Sequence, residues 1–115
     1  MKDLESQLKM PKNSAVLIMG EVGSYWINLS LNRALAINGY ENLHDFFVEL
    51  LITEHPKELE LADYVITTTP QAGKKLLSRY ELKPWQHLIK LDIQPNVEIN
   101  PLSNVLNYIK PYFEE

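Results

Sequence analysis

The residues best placed for chemistry lie in one short stretch, VLIMGEVGSYW, from Val16 to Trp26. Four apolar residues run into Gly20, Gly23 follows three positions later, and Ser24, Tyr25 and Trp26 come next. A turn of this kind after the first strand of an α/β protein can aim backbone N–H groups at an anion near the start of the following helix. A second segment, Thr67 to Gln71, offers three consecutive hydroxyls. The candidate ligand-binding set is therefore Gly20, Glu21, Val22, Gly23, Ser24 and Tyr25, with Thr68 and Thr69. Ser24 and Glu21 carry the reactive groups of the turn, but no general base is evidently paired with Ser24, and no catalytic residue is assigned. A plainer reading stands beside this one. Two glycines three apart also serve a tight strand-to-helix turn that needs backbone freedom, and threonine is common at strand ends.

Composition removes several other chemistries. The chain has no cysteine, which excludes disulfides, thiolate metal sites and cysteine nucleophiles. His44, His55 and His87 are too far apart in sequence for a metal-ligand motif, so no metal and no cofactor are expected. AGKK, Ala72 to Lys75, has the tail of a P-loop without its upstream glycine, and Lys75 stands where Ser or Thr is required. Net charge is −4 and Lys74-Lys75 is the only adjacent basic pair, so direct nucleic-acid contact is not expected. No apolar run is long enough for a bilayer, and the N-terminus is too polar for a signal peptide. A cytoplasmic protein without membrane contact is the expectation.

Elements must hold the two segments together. The 115 residues suit one domain, with 1–14 as a polar leader or linker and 15–115 as the folded part. AVLIM, Ala15 to Met19, reads as a strand buried on both faces. From Ser24, a plausible N-cap, to Asn38, the spacing of Ile27, Leu31, Ala34 and Leu35 predicts a helix, closed by Gly39 as a left-handed cap. Asn42 to Glu54 fits a helical stripe through Leu43, Phe46, Phe47, Leu50 and Leu51, yet topology asks for a second strand there, and the strand is preferred. HPKELELA is a polar connection with room for one helical turn. Asp63 to Thr69 is β-branched and strand-like, Pro70 opens a short helix, and His87 to Ile93 forms a fourth strand. Asn100-Pro101 starts a last helix with Leu102, Val105, Leu106, Ile109 and Phe113 on its apolar face, loosened at Pro111. The predicted fold is α/β, a small three-layer sandwich on a four-stranded parallel sheet. Ligands in such sheets sit beyond the carboxyl ends of the strands where strand order reverses, and Gly20–Tyr25 and Thr67–Gln71 should meet there.

The strand, the glycine turn and the following helix resemble the IIB domains of the bacterial sugar phosphotransferase system. ADYVITTTP resembles the third strand of that family. The resemblance implies a IIB-like, flavodoxin/Rossmann-like fold. Laid onto the family pattern, Gly20 occupies the position of the phosphorylated cysteine, Gly23 matches the motif glycine, and Tyr25 replaces the motif serine. The family's phosphoryl transfer is thus not carried over, since glycine offers no nucleophile. Glu21 adds negative charge inside the turn, and no arginine follows as in the related phosphatases. Domains of this kind without the cysteine resemble the C-terminal modules of Mga/AtxA-type transcription regulators, where the module is associated with self-association. That resemblance implies a regulatory, protein-interaction module, a homodimer or a partner domain, with Tyr25, Trp26, Tyr40 and Phe47 as candidate interface residues. No helix-turn-helix is visible in the chain. Two alternatives remain at this stage: a sensor of a phosphorylated metabolite or nucleotide, and an enzyme of unrecognised type.

Overall fold

The computed structural model describes residues 9–52, 55–94 and 101–114, and of 42–45, 101 and 102 only the backbone. Four parallel strands form one sheet: β1 (Val16–Gly20), β2 (Asn42–Phe47), β3 (Tyr64–Thr67) and β4 (His87–Lys90), in the order β2-β1-β3-β4. Four helices accompany them: α1 (Tyr25–Ile37), α2 (Lys57–Leu61), α3 (Pro70–Arg79) and α4 (Pro101–Ile109). This is the predicted three-layer α/β sandwich, of flavodoxin-like kind.

The alternation of β1 builds both cores. Val16 and Ile18 face a cluster with Ile27, Leu31 and Leu35 of α1 and Val105 and Ile109 of α4. Leu17 and Met19 face the opposite cluster, with Leu59 of α2, Ala72 and Leu76 of α3, and Val48 and Leu51. All five residues of β1 are buried, as a central strand covered on both faces requires.

Several boundaries differ from the sequence expectation. The Asn42–Glu54 segment is strand only to Phe47, then turns into a 3-10 helix, Val48–Ile52. Its mixed pattern arises because one apolar run serves two conformations. The polar connection after it contains α2, whose Leu59 is fully buried. Every strand crossover therefore carries a helix. β4 ends at Lys90, although Leu91 N and Ile93 N still donate to Thr67 O and Thr68 O, at 2.9 and 3.2 Å.

The described part of the leader, residues 9–14, joins the fold. Met10 is fully buried, and its N–H donates to Tyr112 O at 2.8 Å. Residues 1–8 of the expected leader lie outside the described residues. The Asn100 cap lies outside them too, while Pro101 does open α4.

The C-terminus of α1 forms as expected. Gly39 has φ +87°, the left-handed region glycine tolerates. Gly39 N donates to Ala36 O and Tyr40 N to Leu35 O, the paired bonds of a Schellman cap.

Candidate functional site

The two predicted segments do meet, at the carboxyl ends of β1 and β3. Strand order reverses between these two strands, where open α/β sheets form their crevice. Thr68 N donates to Met19 O at 3.2 Å, which fixes their approach.

The crevice is occupied by the protein's own charges. Glu21 is mostly buried, and its two oxygens accept from Thr69 Oγ1 at 2.9 Å and Lys75 Nζ at 3.0 Å. Glu49, from the 3-10 segment after β2, lies 3.6 Å from the same ammonium. Its other oxygen accepts from the backbone N–H of Val22 at 3.2 Å. A loop amide that could have met an external phosphate thus already holds an internal carboxylate. The Lys75 ammonium pKa is raised, first by its hydrogen bond to Glu21 and further by the charges of Glu21 and Glu49. Two carboxylates sharing one lysine leave the crevice net negative, which opposes a phosphate.

Gly20 is glycine for a steric reason. A Cβ there would lie 2.0 Å from Asn28 Oδ1 and 2.8 Å from Asn28 Cγ. Asn28, buried in the first turns of α1, donates weakly from Nδ2 to Phe46 O at 3.5 Å. Any side chain at position 20 must displace it, and a cysteine would meet the same obstacle. Backbone freedom is not the cause, because the only glycine with positive φ is Gly39. At Gly23 an added Cβ would meet nothing within 4 Å, and nothing in the structure explains that glycine.

The remaining candidates divide by burial. Val22, Gly23 and Tyr25 face solvent, while Ser24, Thr68 and Thr69 are buried. Thr69, not Ser24, is a capping side chain: it is the N-cap of α3 and accepts from Ala72 N at 3.1 Å. Ser24 precedes α1 without a capping bond. Among the described residues no histidine, lysine or carboxylate bonds its hydroxyl, so no nucleophile–base pair is assembled. His55 packs edge-on to Tyr80 and His87 stacks on Tyr64, both away from the crevice, and the side chain of His44 lies outside the described residues.

Of the four interface candidates, Tyr25 is exposed and Trp26 and Phe47 are half-buried, but Tyr40 is not at the surface. Its ring stacks on Phe113 with centroids 5.1 Å apart. Its hydroxyl donates to Met10 O at 2.6 Å and accepts from Glu114 N. Tyr40 ties the two terminal segments together, which corrects its assignment as an interface residue.

Sequence reasoning missed Glu49, Lys75 and Asn28. Lys75 was visible only as a failed P-loop, and Glu49 sat in the ambiguous segment. No local pattern pairs residues 28, 49 and 75 with the turn at 20–25.

The fold and site together define a small flavodoxin-like α/β domain with a charge-filled switch-point crevice. No protein-family model, curated protein or solved structure matches the chain. Among the described residues no helix is long and apolar enough to cross a membrane, and no cluster of three potential metal ligands occurs.

Proposed function

We propose that this chain is a non-catalytic IIB-like interaction module that works by self-association, as the resemblance to Mga/AtxA-type transcription regulators implies. The observation that carries this reading is the crevice itself. Its position for a nucleophile is a glycine wedged against Asn28, and its loop amide and lysine are engaged by Glu21 and Glu49. A site so filled leaves the outer surface as the working part, in a cytoplasmic setting. The same carboxylates weigh against a phosphorylated ligand at this crevice.

The outer face of α1 supplies the surface. Val22, Tyr25, Leu29 and Ile37 are all more than half exposed and recur at helical spacing, with Arg33 among them. The solvent face of an amphipathic helix is ordinarily polar. A run of large apolar side chains there marks a contact surface, and an aromatic such as Tyr25 is a typical anchor. Replacing Tyr25 and Leu29 together by lysine should turn a dimer into a monomer in size-exclusion chromatography with light scattering. The far-ultraviolet spectrum should not change, because both side chains point outward. A variant that keeps the wild-type mass would overturn the assignment of this face.

A further inference from the structure

A second cavity lies between α3 and the carboxyl end of β4, with a volume of about 300 Å³. Its walls are apolar, formed by Pro70, Leu77 and Leu91, with the backbone of Gly73 between them. Lys74 and Lys90 line it as well, and among the described residues Asp92 is the only acidic group in the lining. Neither lysine makes an ion pair or hydrogen bond among the described residues, whereas Asp92 already accepts from Gln94 Nε2 at 3.1 Å. The described lining is therefore net positive in a chain whose net charge is −4.

A buried hydroxyl points to the same place. Thr67 is fully buried, and its Oγ1 has no hydrogen-bond partner. Buried polar atoms are paired in the great majority of cases, so an orphan calls for a reason. A Cβ built on Gly73 would lie 3.3 Å from Thr67 Oγ1 and 3.5 Å from Lys90 Cδ. The hydroxyl thus lies directly behind Gly73, which is itself part of the cavity lining. A single methyl there would press on Thr67 Oγ1 and come into ordinary contact with the Lys90 chain.

We infer that this cavity is a binding site for a small amphiphilic anion, a phosphate or carboxylate carried on an apolar body. Its size is at the lower end for small-molecule sites. The anion is held by Lys74 and Lys90, where charge-assisted hydrogen bonds are strongest. The apolar body rests on Pro70, Leu77 and Leu91, and a polar atom reaching Gly73 engages the Thr67 hydroxyl. The site shares Pro70 with the crevice segment, but Glu21, Glu49 and Lys75 are not in its lining, so it does not depend on how their cluster is read.

The test is a ¹H–¹⁵N correlation titration of the full chain with phenyl phosphate and with benzoate, using phenol as the uncharged counterpart. The expected result is saturable shifts centred on Gly73, Leu77 and Leu91 with at least one anionic probe, and weaker binding of phenol. Whichever anion binds more tightly identifies the headgroup class. Replacing both lysines, Lys74→Gln with Lys90→Gln, should weaken binding about tenfold or more. Gly73→Ala should abolish it by filling the inner wall, with the unperturbed remainder of its spectrum reporting that it folds. Absence of saturable shifts up to about 10 mM of either anion, an affinity too weak to credit a built site, would overturn the inference. So would phenol binding equally well, or an affinity indifferent to loss of both lysines.

Discussion

At the scale of single residues, the contact between Gly20 and Asn28 decides what the crevice can do. The sequence already showed a glycine where the resembled family has its cysteine. It did not show that the space is taken, because Asn28 lies eight positions further on, in the first turn of α1, and nothing local links them. Adding a methyl at position 20 should destabilise the protein by about 1–3 kcal/mol, the usual cost of overpacking. In an Asn28→Ala background the same Gly20→Ala change should cost less than about 1 kcal/mol. Urea denaturation of the two single variants and the double variant measures this coupling directly. Additive effects would show that Asn28 is not the obstacle.

Among the elements, strands and long helices were legible because burial on both faces leaves unbroken apolar runs, as in Val16–Met19, and one-sided burial leaves the period seen in Ile27, Leu31 and Leu35. Where one run changed conformation, at Phe47–Val48, the pattern was ambiguous for a physical reason: Val48 and Leu51 pack inward from a 3-10 turn as well as they would from a strand or helix. The short α2, the single turn that the polar connection left room for, has Leu59 as its one buried anchor. What secures α2 is also illegible in sequence. Gln86 Nε2 donates to Leu59 O and Ala62 O at 2.7 and 3.0 Å, and its Oε1 accepts from Tyr80 Oη and Lys83 N at 3.0 and 2.9 Å. Three of the four bonds are buried and the one from Lys83 N is partly so, and Gln86→Leu should cost about 3 kcal/mol by leaving those groups unpaired. A loss under about 1 kcal/mol in chemical denaturation would show that the network contributes little.

For the whole molecule, pH response and surface give two expectations. Tyr64 and Tyr80 have raised pKa values, mainly through burial, with the Asp63 and Tyr40 charges adding to the first and Glu60 to the second, while the Gln86 hydrogen bond opposes the rise in Tyr80. Lys75 is raised chiefly by its bond to Glu21. Each group holds its proton more tightly when folded than when unfolded. Their contributions are therefore intact below their ordinary values near 10 and are lost as pH rises through the folded values. The urea midpoint should fall from about pH 10 upward, and a midpoint flat to about pH 11.5 would contradict this.

On the proposed reading the surface carries the functional weight, since a crevice filled by Glu21, Glu49 and Lys75 leaves the apolar face of α1 as the feature in need of an explanation. The most direct measurement is sedimentation equilibrium of the unmodified chain from low micromolar to about 1 mM, the range in which a weak dimer becomes visible. A mass rising toward twice 13.3 kDa is the predicted result. A mass that stays at one chain throughout would contradict self-association as the work of this module.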